Sequence, residues 1–294
     1  MSKLLIVNAD DFGLEQETNS GIVKAHEHGV VTSASLIANG SAFEHAVALA
    51  LEHPALDVGV HLTLTRGPSL VGGPLLEPVE VPTLVGRDGL FPHNPTALAV
   101  RTVLGLVSFS QVRNELRAQM EKAESAGVRI THIDSHQHIH LLPPVFRIVA
   151  ELACEFGVKW IRLSPIWTLP GDAPRGRALR RVQGRLLTAL ARRNHHALAE
   201  AGLHTPTYHL GFDFSGRLSE NEIEHIITNL PDGIVELSCH PGSDDARLGR
   251  HHPWGYKWQQ ELSALCSTRV SRAIEEAGVK LAGYSSLSGS EDTG

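Results

Sequence analysis

The sequence predicts an α/β protein built as a (β/α) barrel, irregular or incomplete in its closure. Two observations carry the barrel reading. Four predicted helices end in the same pair, Gly29-Val30, Gly127-Val128, Gly157-Val158 and Gly278-Val279, and Gly202-Leu203 is a fifth, altered copy. Glycine supplies the left-handed residue just past a helix end, and a β-branched residue opens the next strand. Helix, glycine, strand therefore repeats along the chain, the pattern of β/α alternation around a parallel sheet. The second observation is where the reactive side chains fall. Asp10-Asp11 follows Ile6-Val7, His61 follows Val58-Gly59-Val60, and a histidine-rich string follows Val128-Arg129-Ile130. In such folds reacting groups converge at the strand ends.

Taken in order, the apolar runs predict strands over 4–8, 31–38, 57–62, 129–134, 159–163, 207–212 and 234–238, with a weak one over 280–283. Helices are expected over 18–28, 43–53, 111–126 and 145–156. The third has Ser110 as its expected N-cap, and Val112, Leu116, Met120 and Ala123 form one stripe. No boundary divides the chain, so residues 1–284 read as a single domain. The polar Gly/Ser-rich tail 285–294 is expected to be disordered.

Two stretches interrupt the alternation. Residues 66–108 are rich in Gly and Pro and too long for an ordinary βα loop; following His61 directly, they are expected to wall the substrate cleft. Residues 164–206 hold a helix loaded with Arg177, Arg180, Arg181, Arg185, Arg192 and Arg193, with Leu179, Val182, Leu186 and Leu190 as its apolar stripe. A solvated basic face on a packed helix is the plainer reading, and contact with an anionic or membrane-borne partner is the functional one.

Composition sets the class. At 294 residues, 42% hydrophobic and 20% charged, the chain reads as globular. A net charge of −6 argues against nucleic-acid partners. No run of about 18 apolar residues is present, so no transmembrane segment is expected. The apolar run at the N-terminus is too short for a signal sequence and meets two aspartates at once. Cys154, Cys239 and Cys266 are odd in number and lack paired spacing, which fits a reducing cytoplasm.

The string His132-Ile133-Asp134-Ser135-His136-Gln137-His138-Ile139-His140 places an imidazole or carboxylate at every second position. If extended, its period of two puts His132, Asp134, His136, His138 and His140 on one face. Such a face is costly to bury without a metal or hydrogen-bond partners. An aspartate and two histidines from separate strands make a nitrogen/oxygen ligand set with room for water, the signature of a metal-dependent hydrolase. Spacing alone leaves open which member of the string ligates. His240, ahead of Pro241-Gly242, is an imidazole suited to general acid work. Cys239 points the other way on its strand and reads as buried filler. Adjacent carboxylates suit a division of labour in amide hydrolysis, one as ligand and one as base.

The motifs 6–13, Thr32-Ser33-Ala34-Ser35-Leu36, Asn39-Gly40, Gly59-Val60-His61-Leu62, Thr131 to His140 and Cys239-His240-Pro241 closely resemble those of the YdjC-like carbohydrate deacetylase family. The resemblance implies one divalent metal ion, Mg2+ or Zn2+, held by Asp11, His61 and His136, with Asp10 as general base. It implies a barrel of the polysaccharide-deacetylase kind and an N-acetylated sugar as substrate. The histidine string is similar to the family's chitooligosaccharide-deacetylase form. The Arg-rich helix and Tyr208 to Gly216 are similar to its hopanoid-associated branch, which implies a glycolipid substrate and peripheral membrane contact. A homodimer stays open. A metal-dependent phosphoesterase and an inactive sugar-binding protein are the competing readings; no Gly-rich phosphate loop supports the first, and an intact set of acids and imidazoles speaks against the second.

Overall fold

The sheet is assembled around its first strand. A computed structural model describes residues 3–65, 73–167 and 178–287. In chain order the elements are β1 (Lys3–Phe12), α1 (Gln16–Glu27), β2 (Ser33–Leu36), α2 (Phe43–Glu52), β3 (Asp57–Leu62), α3 (Pro95–Val103), α4 (Phe109–Ser125), β4 (Ile130–Ser135), α5 (Pro143–Glu155) and β5 (Trp160–Ile161). They continue as α6 (Ala178–Glu200), β6 (Tyr208–Leu210), α7 (Glu220–Thr228), β7 (Gly233–Cys239), α8 (Asp245–His251), α9 (Trp258–Leu265), α10 (Thr268–Glu276), β8 (Lys280–Leu281) and α11 (Tyr284–Leu287).

Strand order is β5-β4-β3-β2-β1-β7-β6, with β8 added to the start of β1, and every pairing is parallel. Parallel bridges Trp160↔His204 and Ile166↔His209 join the chain beside β5 to the chain beside β6. The amide of His204 donates to the carbonyl of Lys159 at 2.8 Å, and that of Ile161 to His204 at 2.9 Å. The curl thus closes by bridges rather than a full ladder, the irregular (β/α) barrel that the alternation predicts. Buried on both faces, its strands are near-continuous apolar runs, such as Leu5-Ile6-Val7 and Val58 to Leu62.

Four of the five repeated glycines behave as expected: Gly127, Gly157, Gly202 and Gly278 have φ of 86°, 68°, 64° and 63°. The amide of Val158 returns to the carbonyl of Ala153 at 2.8 Å, and that of Val128 to Ala123 at 3.2 Å, closing the last helical turn. Gly29 is the exception. Its φ is not positive, and what it supplies is closeness, since a Cβ there would lie 2.4 Å from the carbonyl oxygen of Leu265.

Several expected boundaries shift. The strand expected over 31–38 contracts to Ser33–Leu36, and that over 207–212 to Tyr208–Leu210. The N-cap of α4 is Ser108, not Ser110; the Ser110 hydroxyl pairs with that of Ser108 at 2.8 Å instead. On α6 the expected stripe holds only in part: Leu190 packs against the core, but Val182 and Leu186 are 61% and 62% exposed, while Gly184, Ala191, Asn194 and Leu198 face inward. Gly184 sets this orientation by lying against Ile166 and Phe212, and Asn194 donates to the carbonyl of Leu141 at 2.9 Å. Arg177 and the side chain of Leu179 lie outside the described residues. The tail is helical as far as Leu287, with the Ser285 amide donating to Asp57 Oδ2 at 2.8 Å; residues 288–294 of the expected disordered segment lie outside the described residues.

Of the long insertion after His61, residues 73–108 are described. Their anchor is buried Glu115 on α4, which accepts from the amides of Leu75 and Leu76 at 3.0 and 3.1 Å. They end in α3, capped by Asn94, whose side chain accepts from the Ala97 amide at 2.9 Å.

Helix α1 meets the loop after β7 backbone to backbone. A Cβ on Gly21 would stand 2.4 Å from the Cα of Gly242. Alanine is the better helix former by about 1 kcal/mol, yet overpacking against main chain costs about 1–3 kcal/mol. Gly21→Ala is therefore expected to lower stability in urea denaturation; a stabilised variant would show that the contact yields freely.

Candidate active site

Regular strands send neighbouring side chains to opposite faces, so two adjacent carboxylates reaching one cleft require an irregularity. β1 has one at that point. Asn8↔Ser33 and Ala9↔Ala34 are in register, but the next pair is Phe12↔Leu36, leaving β1 with one extra residue. This bulge holds Asp10 and Asp11, and Asp11 takes the left-handed conformation at φ 68°. Both side chains line the cleft, together with His61, His136 and His240.

Asp11, His61 and His136 converge. Each offers a ligand atom, all within 4.8 Å of one another, and all three residues are buried. Asp11 Oδ1 lies 3.1 Å from His136 Nδ1 and 3.6 Å from His61 Nε2. The other nitrogen of His61 is held by Asp134 Oδ1 at 2.7 Å, the carboxylate–histidine pairing that orients an imidazole ligand. His136 Nε2 is buried without a hydrogen-bond partner in the described structure. Burial pushes the His61 pKa down, but Asp134, Asp10 and Asp11 outweigh it and carry it up to about 9. Burial likewise raises Asp11, and His136 and His61 more than reverse this, leaving it below the usual carboxylate range. The donor set, its geometry and its negative field fit a divalent cation.

A second group, Asp10, His61 and Asp134, also meets the distance condition. It already contains a cation. Arg162 is 2% exposed and grips Asp10 with both terminal nitrogens, Nη1 to Oδ2 at 2.9 Å and Nη2 to Oδ1 at 2.7 Å. Nη2 also lies 2.8 Å from Asp134 Oδ2, and Nε donates to Glu236 Oε1 at 2.7 Å. Burial would raise Asp10, but the guanidinium holds its carboxyl well below the usual range, with His61 and His240 adding to the effect. A metal ion would face that fixed positive charge, so Asp11, His61 and His136 form the better cation site. Arg162 was legible as an anomaly: a charged residue inside the apolar strand run Trp160-Ile161-Arg162-Leu163, as Glu236 is inside Ile234-Val235-Glu236-Leu237.

The histidine string does not share one face. β4 stops at Ser135, and 136–141 form a short 3-10 turn in which Gln137 and His138 have φ of 56° and 57°. That turn swings His136 to Asp11 and separates it from the rest. His132 is stacked on Tyr284 at 4.0 Å and approaches the Ser35 hydroxyl at 3.2 Å. His140 is held between Ser135 Oγ at 2.5 Å and the Arg162 carbonyl at 2.6 Å. His138 packs near His209 and Phe212. Burial depresses all three: His132 to about 3, His140 to about 4, and His138 well below the usual value.

His240 adjoins Asp10, with Nε2 3.9 Å from Asp10 Oδ2 and Nδ1 buried without a partner in the described structure. Its main-chain amide donates to Glu261 Oε2 at 2.5 Å, and Glu261 Oε1 accepts from the Leu218 amide at 3.0 Å. Burial raises Glu261 to about 8, against the pull of those amides. Cys239 is fully buried and its thiol is pushed well above its usual value, first by burial, so it is packing, as expected. Sequence reasoning missed Trp254 and Tyr256, which flank the donor set: Trp254 lies 5.9 Å from the His136 ring, and Tyr256 5.1 Å from that of His240. The cleft holds about 750 Å3, and α3 and α6 form its far wall.

Fold and strand-end groups together define a class, the (β/α) barrel with a buried carboxylate–imidazole donor site. Comparison makes it particular: residues 4–276 match the YdjC-like protein family, and the chain belongs to that family. It is 33% identical over 284 residues to a carbohydrate deacetylase of Brevibacillus brevis, covering 96% of this chain and 99% of the relative. A carbohydrate deacetylase of Geobacillus stearothermophilus is 32% identical, with 97% and 98% covered. A crystal structure from Enterococcus faecalis V583, provisionally described as a cellobiose-phosphate cleavage protein, is 30% identical with a TM-score of 0.75, covering 98% of this chain and 99% of that one.

Three buried imidazoles make the fold sensitive to acid. His132, His140 and His209 sit at about 3, 4 and 3, below the unfolded value of about 6.5. As pH falls below that value the unfolded chain binds protons the folded chain refuses, so stability drops on acidification. Each group contributes up to about 1.4 kcal/mol per pH unit, or about 4 for three near pH 5. Urea midpoints are expected to fall steeply from about pH 6 to pH 4, and to decline again as pH rises toward 8 and 9, where folded Glu261 and His61 give up the protons that the unfolded chain has already lost. A level profile between pH 7 and pH 5 would mean these rings take up protons in place.

Proposed function

We propose that this chain is a hydrolase that removes the acetyl group from an N-acetylated amino sugar, using one divalent metal ion, Mg2+ or Zn2+, held by Asp11, His61 and His136. The observation that carries this reading is the convergence of those three donors in the cleft, in a chain whose near-full-length relatives are carbohydrate deacetylases. Bound there, a divalent ion supplies Lewis acidity to an amide carbonyl and lowers the pKa of water.

The chain's own groups do the rest. Arg162 keeps Asp10 ionised, so Asp10 accepts the proton of the attacking water; a carboxylate this weakly basic suits acidified water only. His240, whose Nε2 lies 3.9 Å from Asp10 Oδ2, gives a proton to the departing amine. Trp254 and Tyr256 offer ring surfaces beside the reacting centre for the C–H face of a sugar. A phosphoesterase with two metals fits less well, because Arg162 occupies the second donor group.

A second reading, deacetylation of a sugar carried on a hopanoid-type lipid, is favoured by one observation. Part of the cleft wall is aliphatic, built from Leu142, Leu186, Leu187 and Leu190 with Pro95 and Ala99. Acetate release from N-acetylglucosamine oligomers and from an N-acetylated glycolipid, each with metal restored, separates the two.

The ligand assignment is tested by metal content. Asp11→Ala, His61→Ala and His136→Ala are expected to lose the metal, whereas Asp10→Asn and His140→Ala keep it. Asp10→Asn should lower turnover by about 10²- to 10⁴-fold. Metal retained by Asp11→Ala at wild-type stoichiometry overturns the set.

The proton donor is tested by leaving group. His240→Ala is expected to cut hydrolysis of a sugar acetamide by at least about 100-fold. It should spare an activated aryl acetate, whose phenolate leaves unprotonated. Equal loss on both substrates, with metal content intact, would make His240 a binding residue instead.

A further inference from the structure

Helix α6 turns an unusual face outward. Val182, Arg185, Leu186, Ala189, Arg192 and Arg193 are all exposed, so aliphatic and guanidinium groups alternate on one side. Among the described residues none of Arg185, Arg192 and Arg193 has an ion pair, and Glu200 is the helix's single acidic residue. Around the cleft from α6, the end of α3 and the turn after it expose Val103 (86%), Leu104 (64%) and Leu106 (56%). Leu186 belongs both to the exposed row and to the cleft wall, and α3 enters the same wall through Thr96 and Ala99. Leu186 thus ties the exposed row of α6 to the cleft, and Val103 lies one helical turn beyond Ala99 on α3.

We propose that the outer face of α6, with the apolar rim at the end of α3, docks onto an anionic lipid bilayer and brings the cleft mouth to the membrane surface. The chemistry selects that occupant. Aliphatic side chains between arginines can enter the acyl boundary while the guanidiniums reach headgroup phosphates. A nucleic acid would call for aromatic rings to stack bases, and this face of α6 has none. A second copy packed about a twofold axis would set two groups of unpaired arginines against each other. Docking would deliver a lipid-borne sugar to the cleft without its leaving the bilayer. That consequence rests on the second functional reading, but the docking itself does not.

The test is sedimentation of the full chain with vesicles of phosphatidylcholine alone and of phosphatidylcholine mixed with phosphatidylglycerol. No substrate is present, so the outcome is independent of the deacetylase reading. The wild type is expected to partition onto the mixed vesicles at low salt, to leave them at about 0.5 M salt, and to ignore the neutral ones. Each arginine near such a surface is worth about five-fold in partitioning, so R185Q/R192Q/R193Q should lose about 100-fold. V103S/L104S should lose about 10-fold with every charge retained. Unchanged thermal unfolding in both variants excludes misfolding as the cause. Absence of wild-type partitioning at low salt, equal partitioning onto neutral vesicles, or an unaffected arginine variant overturns the proposal. So does a concentration-dependent dimer in sedimentation velocity that V182S abolishes, which would assign the face to a second copy.

Discussion

The centre depends on one buried guanidinium. Arg162, at the end of β5, reaches Asp10 on β1, Asp134 on β4 and Glu236 on β7. These strands come from both sides of the sheet, so the contacts tie its curl together at the level where the cleft begins. Three buried carboxylates without a cation would be untenable, since a buried charge stripped of its partner costs about 3–5 kcal/mol. The same ion network sets the chemistry above it. Asp134 divides its oxygens between Arg162 and His61, fixing the imidazole whose far nitrogen faces Asp11. Asp10 is clamped by two parallel bonds, and bidentate geometry fixes its plane as well as its charge.

Around this rigid base the backbone is locally forced. Among the described residues, the non-glycine positions with positive φ are Asp11, Gln137 and His138, and all three line the cleft. Each such conformation costs about 1 kcal/mol or more and persists where the surroundings dictate it. Here the reason is visible. The bulge in β1 turns Asp11 into the cleft beside Asp10, and the turn after Ser135 brings His136 back over β1 to meet it. A regular β1 and an extended 136–140 would leave Asp11 and His136 apart. Strain at the two strand ends and compensation at Arg162 are parts of one arrangement.

The same contrast explains what was legible in the sequence. Alternation of helix, glycine and strand announced the parallel barrel because those signals are local: a left-handed residue after a helix, then a β-branched one. Asp10, Asp11, His61 and His240 were legible as polar groups at the ends of apolar runs, whereas His136 stood out within its string only through the family resemblance. The geometry of 132–140 was misread because period two was extended past the strand end, and no local propensity marks Gln137 and His138 as left-handed. Arg162 was passed over since its partners lie as far as 152 positions away in the chain. The stripe on α6 held at Leu190 but not at Val182 and Leu186 for a related reason: inward orientation follows Gly184 and Asn194, which hydrophobicity does not single out. Trp254 and Tyr256 sit in a connecting loop, where aromatic residues carry no periodic signal.

The cleft itself is divided by chemistry. On one side, beside the donor set, stand Trp254 and Tyr256, with His240 and the carboxylates of the bulge within reach. On another, the leucines of α6 with Pro95 and Ala99 of α3 form an aliphatic wall, joined to the first where Arg180 hydrogen-bonds Tyr256. A sugar presents hydroxyls that need partners and a flat C–H face that needs a ring, and the first side meets both needs. The second side offers little to a hydroxyl, and desolvating one there without a partner would cost about 1–3 kcal/mol. At about 750 Å3 the cavity has room well beyond one sugar ring. For the proposed substrate, this polarity would order the ligand with its acetamido end toward Asp11, His61 and His136 and its least polar portion toward the leucines of α6.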